Sequence, residues 1–279
     1  MGFDVAASAY DRFMGRYSAQ LAAPMADLAG VAPGNRALDV GCGPGALTAE
    51  LVARLGPHAV TAADPSASFV AAARERLPGV EVVEAPAEQL PFADGAFDAA
   101  LAQLVVHFMA DPVAGLGEML RVTRPGGTVV ACVWDLAGGR APLSAFWKAV
   151  RSLDVAVQGE SGRPGTGDGD LVRLLEAAGA ADVTQHELSV ALRHESFEDW
   201  WEPYELGVGP AGEQVARMPD DDRAAVRERC RAVHAHGRGL GGARRRALTP
   251  ANRESAAAAA RWPRRRRSRA PSPRRRSAG

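Results

Sequence analysis

The chain has 279 residues, 47% of them hydrophobic, enough for one α/β domain with additions. No apolar run reaches the roughly 18 residues a membrane helix needs, and the three cysteines, Cys42, Cys132 and Cys230, are odd in number and far apart, which excludes a disulfide framework or a zinc site. The net charge of zero conceals an asymmetry: 14 of the 33 basic residues and one of the 33 acidic ones lie from Arg238 onward, leaving 19 against 32, a net of −13, before it.

Residues 1–10 carry an early acid and no apolar core, so they do not read as a signal peptide. Over residues 6–28, Tyr10, Phe13, Met14, Tyr17, Leu21 and Met25 recur at helical spacing, with Arg12 and Arg16 on the same stretch. A Pro-Gly turn at residues 33–34 leads into Ala37-Leu38-Asp39-Val40, an apolar run with one acid that reads as a buried parallel strand. Gly41, Cys42, Gly43 and Gly45 then form a tight corner. From Ala46 the pattern is helical, with Leu47, Leu51, Val52 and Leu55 on one face. Strand, glycine turn and helix make a nucleotide-binding corner, where free N–H groups meet a ligand.

Two chemistries use such a corner. Gly41-x-Gly43-x-x-Ala46 satisfies the dinucleotide fingerprint, which points to NAD. Asp39 points elsewhere, because a carboxylate there repels a pyrophosphate and attracts an ammonium. S-adenosylmethionine (SAM) carries an ammonium, a sulfonium and no phosphate. The bland alternative is an Asp capping its own turn.

The second strand spans residues 59–64 and ends on Asp64, placed to accept ribose hydroxyls in either ligand. Pro65 and Ser66 turn the chain into a helix over residues 69–77. Residues 80–83 form the third strand and 97–103 the fourth, with Gln103 at its end and His107 just beyond. His107 is the one plausible general base near the chemistry, although a lone histidine is more often structural. A helix runs to Val122, Pro125-Gly126-Gly127 ends it, and a fifth strand follows over 128–134. Residues 158–169 read as a mobile loop, 171–178 as a helix, 183–192 as a sixth strand, and 197–236 as helical, with Trp200, Trp201 and Tyr204 as core or pocket roof.

Leu38-Asp39-Val40-Gly41-Cys42-Gly43-Pro44-Gly45 resembles the first motif of class I SAM-dependent methyltransferases. Ala85-Pro86-Ala87-Glu88-Gln89-Leu90-Pro91-Phe92 and Arg121-Val122-Thr123-Arg124-Pro125-Gly126-Gly127 are similar to later motifs of the type 11 group, which includes ubiquinone and menaquinone biosynthesis enzymes. The resemblance covers about residues 8–236. It implies a Rossmann-like sheet with helices on both faces, SAM as cofactor, and methyl transfer to a small-molecule acceptor. It makes residues 1–30 a lid helix, with Tyr10 and Arg16 or Tyr17 toward the methionine end. It assigns Gly41, Cys42, Gly43 and Gly45 to the SAM corner, Asp64 and Pro65 to the ribose side, Ala87 (through its N–H) and Glu88 to the adenine, and Gln103 to the methionine moiety. Pro86 stands where the family's adenine-accepting acid belongs, so either adenine recognition is weaker here or Glu88 or Glu84 substitutes. Residues 31–196 become the SAM-binding domain and 197–236 a helical insertion over the substrate pocket.

Residues 237–279 do not resemble the family. Arg, Ala, Pro, Ser and Gly dominate them, and no window alternates apolar β-formers. They read as a disordered Arg-rich tail, a possible frameshift product, that binds polyanions only non-specifically. The family's last antiparallel strand is therefore expected to be missing. The full expectation is a cytoplasmic SAM-dependent methyltransferase that holds no metal, recognises no specific nucleic acid and has no membrane span. An NAD-linked oxidoreductase and a catalytically impaired SAM-binding protein are the alternatives.

Overall fold

The computed structural model describes residues 7–153, 157, 159–239 and 255–261. The chain enters through α1 (Ala7–Tyr10), a π-helical turn (Asp11–Gly15) and α2 (Arg16–Ala29), which closes on Gly30. Then follow β1 (Ala37–Val40), α3 (Ala46–Leu55), β2 (Val60–Asp64), α4 (Ala67–Arg76), β3 (Glu81–Glu84), β4 (Phe97–Gln103), α5 (Pro112–Val122) and β5 (Thr123–Trp134). The rest is α6 (Ser144–Arg151), α7 (Asp170–Ala177), β6 (Ala181–Leu188), α8 (Phe197–Trp201), α9 (Gly209–Arg217), α10 (Asp220–Gly239) and β7 (Ser255–Arg261).

The strand order is β3-β2-β1-β4-β5-β7-β6. The first five strands are parallel, and β7 pairs antiparallel with both β5 and β6. Helices cover both faces, as a buried parallel sheet requires. The two-residue side-chain period sorts the core into two layers. Leu38, Val40, Val129 and Val133 pack with Leu116, Leu120 and Leu171 on the α5/α7 side. Ala37, Val130, Cys132 and Trp134 pack with Leu21, Met25 and Leu51 on the α2/α3 side. Asp39 alternates onto that second face and is buried there.

The structure corrects three expectations. The slot between β5 and β6 is not empty. β7 fills it, with Ala258 opposite both Ala131 and Gln185, and β6 meets the sheet only through it. Two open edges offer a full set of backbone partners, so a polyalanine segment can take the place of β-formers. The disordered-tail expectation therefore fails at 255–261, and α10 runs on through 239; residues 240–254 and 262–279 lie outside the described residues. Second, strand five begins earlier than expected. Thr123 already pairs with Phe97, and the next pair is Ala99 with Thr128, so the Arg124-Pro-Gly-Gly127 stretch is a bulge inside the strand. A Cβ on Gly127 would lie 2.5 Å from the Asp98 carbonyl. Third, the expected mobile loop is a folded run of turns from residue 159 onward. Glu160 and Thr166 are buried, and the Thr166 carbonyl accepts the Ala137 N–H at 3.1 Å. The sixth strand is observed at Ala181–Leu188, ahead of the expected 183–192.

Candidate active site

At the C-terminal ends of β1, β2 and β4 a cleft opens with about 910 Å³ of empty space, its mouth included. The crevice at the carboxyl ends of parallel strands is where α/β sheets bind ligands. Gly41 turns the chain there with φ +70°, and a Cβ on it would lie 2.4 Å from Val105 Cγ2. Only glycine satisfies both the backbone and the close approach. Leu104, straight after β4, also has positive φ (+62°), an uncommon conformation for a leucine; it turns the chain along the cleft wall.

Two acids lie at this corner. Asp64 lines the cleft at the end of β2, and its carboxylate accepts the Gly43 N–H at 2.8 Å and the Ser66 N–H at 2.9 Å. Burial pushes its pKa above the ordinary carboxylate value despite those bonds. Asp39 is buried behind the glycine turn and accepts the Thr48 hydroxyl at 2.6 Å; its Oδ1 is buried without a hydrogen-bond partner. Burial, with Asp64 nearby, raises its pKa to about 7. A corner with two crowded carboxyls and an orphaned acceptor suits a cationic ligand and repels a pyrophosphate. SAM, with its ammonium and sulfonium, fits these residues.

Of the residues expected at the site, Tyr10, Gly41, Gly43, Asp64, Pro65, Gln103 and His107 line one continuous cleft. Gln103 Nε2 donates to the Ser18 carbonyl at 3.0 Å, while its Oε1 is buried and unpartnered. His107 is buried, its ring 4.0 Å from Phe108, with Nδ1 unpartnered. Burial holds its pKa down at about 3, so the imidazole is neutral and a poor proton acceptor. Cys42 and Gly45 stand behind the wall. A Cβ on Gly45 would strike Leu77 Cδ1 at 2.7 Å, so this glycine serves helix packing.

Three expected residues are engaged outside the cleft. Arg16 makes a bidentate pair with Asp199 of α8, at 2.9 and 3.2 Å, and does not line the cleft. Glu88 Oε1 accepts the N–H groups of Ala110 and Asp111 at 2.7 and 3.2 Å, which commits that oxygen to the loop before α5. Ala87 is buried in the α5-side core. The arginines of the Arg-Val-Thr-Arg motif are loop ties. Arg121 binds Glu118, Asp94 and the Leu90 and Phe92 carbonyls, and Arg124 binds Asp98.

Phe13 and Met14, legible in the sequence as part of the helical pattern over residues 6–28, reach the cleft from the π-helical turn, and Trp134 reaches it from the end of β5. Other cleft residues carry no sequence signal, among them Leu136 and Leu143 from the region after β5. Val208, Gly209, Pro210 and Ala211 approach it from the start of α9. Glu160 also lines it, a buried acid in an otherwise apolar wall.

The family described as "Methyltransferase domain" matches residues 38–131, from β1 into β5. A demethylmenaquinone methyltransferase of Mycobacterium sp. (strain KMS) is 37% identical over 173 residues, covering 57% of this chain and 74% of that protein. The chain belongs to the class I SAM-dependent methyltransferases. Phosphoethanolamine N-methyltransferase 2 of Haemonchus contortus, solved with S-adenosylhomocysteine, shares the fold with TM-score 0.57 at 16% identity, over 94% of this chain and 58% of that one. A structure of a 4+2 cyclase superposes with TM-score 0.55 at 23% identity, covering 88% and 81%. The protein is thus a SAM-dependent methyltransferase of a small molecule with a Rossmann-like sheet, and SAM is its cofactor. Among the described residues no helix is long and apolar enough to cross a membrane.

Proposed function

We propose that this methyltransferase acts on an apolar aromatic acceptor of the quinol type, the class on which its demethylmenaquinone relative is named to act. The observation that carries the reading is the cleft itself: a corner with two buried acids opens directly into a pocket walled by Phe13, Met14, Phe108, Trp134 and Leu143. Bound SAM supplies an electrophilic methyl group. The protein's part is to hold the acceptor in line and exclude water. Asp39 answers the ammonium, Asp64 the ribose and Gln103 the methionine moiety. Tyr10, whose ring stands edge-on to Phe69 at 5.3 Å, closes the methionine end. His107, neutral and with its Nδ1 unpartnered, orients the acceptor through a hydrogen bond; H107Q should raise KM more than it lowers kcat.

The protein works in the cytoplasm and recognises no nucleic-acid sequence. Titration calorimetry with SAM, S-adenosylhomocysteine and NADH tests the reading. Binding of the two adenosyl ligands without NADH supports it. NADH binding alone would revive the oxidoreductase. A second reading, an impaired SAM binder, is favoured by the engaged Glu88 oxygen beside Pro86. It predicts SAM affinity without turnover on any quinol.

A further inference from the structure

Glu160 is the one acid of the cleft that no SAM contact explains. It sits in the turn run between α6 and α7, its side chain 2% exposed. The surroundings hold it in place. Trp147 Nε1 donates to Oε2 at 2.9 Å, and the Trp147 ring packs so tightly on Gly159 that a Cβ there would lie 3.0 Å away. The Arg163 N–H donates to the Glu160 carbonyl at 3.1 Å, and Thr166 Oγ1 donates to the Ser161 and Arg163 carbonyls. Among the described residues Oε1 has no hydrogen-bond partner. Arg163 acts on Glu160 through its charge, partly offsetting the effect of burial, but gives it no side-chain hydrogen bond: its Nη1 donates to the His107 carbonyl at 3.2 Å, and its guanidinium lies 4.9 Å above the Phe108 ring.

A buried carboxyl with a vacant oxygen is costly unless something in the working protein satisfies it. In the proposed site Asp39 answers SAM's ammonium and Asp64 its ribose, both at the glycine corner. Glu160 lines the cleft on the apolar side, where the acceptor belongs in the proposed site.

We propose that Glu160 is the specificity-determining residue of the acceptor pocket, selecting uncharged aromatic molecules that present an O–H or N–H donor and rejecting those that present an anion there. This rests on the cleft being a SAM-dependent acceptor site. Aryl methyl ethers lack the donor and leave the carboxyl unsatisfied. Aryl carboxylates add a second negative charge in a dry pocket.

The test uses the full chain saturated with S-adenosylhomocysteine at pH 8, with 1-naphthol, 1-methoxynaphthalene and 1-naphthoate as probes. Binding is read by calorimetry and by quenching of tryptophan fluorescence. The wild type should bind 1-naphthol about tenfold or more tighter than its methyl ether, the range of a hydrogen bond to a charged group. Glu160→Leu should bring the two within about threefold of each other. Glu160→Gln, which keeps the shape and the Trp147 partner, should retain 1-naphthol and bind 1-naphthoate about tenfold tighter than the wild type does. Equal binding of naphthol and ether by the wild type, unchanged selectivity in Glu160→Leu at unchanged S-adenosylhomocysteine affinity, or no probe binding at all would overturn the proposal. Failure of the wild type to bind S-adenosylhomocysteine would instead overturn the functional reading beneath it, and the proposal with it.

Discussion

Asp39 couples folding, ligand and pH. Its carboxyl has a pKa of about 7 in the folded chain against roughly 3.9 in an unfolded one. The folded state therefore holds a proton that the unfolded state has released between those values. Stability from this group is full below about pH 4, falls as pH rises toward 7, and stays low above it, with a ceiling on the order of 4 kcal/mol. Asp39→Asn should melt higher than the wild type at pH 8 and about equally at pH 4, while binding SAM about 1–3 kcal/mol more weakly. Thermal melts and calorimetry decide it; an Asn variant with full SAM affinity would remove Asp39 from the ligand's environment. Asp64→Ala should weaken SAM binding by a similar amount. It should also cost stability, because two backbone N–H groups at Gly43 and Ser66 lose their acceptor. The acids and glycines of this corner were legible from their types and spacing alone. Glu160 was not, because an acid in a Gly-rich stretch looks solvated until the tertiary fold buries it.

At the scale of elements, α2 and α8 are joined by the Arg16–Asp199 pair, with His194 Nδ1 3.3 Å from the same carboxylate and His194 Nε2 3.2 Å from the Tyr17 hydroxyl. Burial, first of all, keeps His194 below its ordinary pKa, so neutral His194 leaves the pair to Arg16. The spacing of Arg16 on its helix was readable. Its partner, 183 residues away, was not. Asp199→Ala should loosen the docking of α2 by about 1 kcal/mol or less, since both side chains are near a third exposed. Hydrogen exchange over residues 16–29 should speed up; unchanged exchange would mean that apolar packing alone holds α2. The other elemental surprise is β7. Ala258→Pro removes a ladder N–H in the strand between β5 and β6, and should lower the melting temperature. SAM binding should survive, because the corner stands on β1, β2 and β4. An unchanged melting temperature would show that this strand carries no load.

The whole molecule carries its charge in two blocks, an acidic body and an arginine-rich C-terminal stretch. Any polyanion should bind through the latter with steep salt dependence, and deletion of residues 262–279, which removes eight of its 14 arginines, should weaken that binding and flatten its salt dependence without changing SAM affinity. Sequence preference in a filter assay at physiological salt would contradict this. The composition break after residue 236 suggested a shifted reading frame. With β7 seated in the sheet, a missing strand no longer supports that idea.

Local chemistry was decided within the sequence: strand, glycine turn and helix from residues 37 to 55, an acid at each of two strand ends, and the ordered motifs that mark a methyltransferase. These signals are short-range, since turn conformation, side-chain period and capping depend on neighbours a few residues apart. The tertiary structure alone decided which polar groups remain vacant and which charges are already paired. It seated an alanine run between β5 and β6, gave Arg16 to Asp199 and Glu88 to a loop, and buried Glu160 against Trp147 in the cleft wall. Each of these turns on burial or on a partner distant in the chain, and a linear pattern of residue types carries neither.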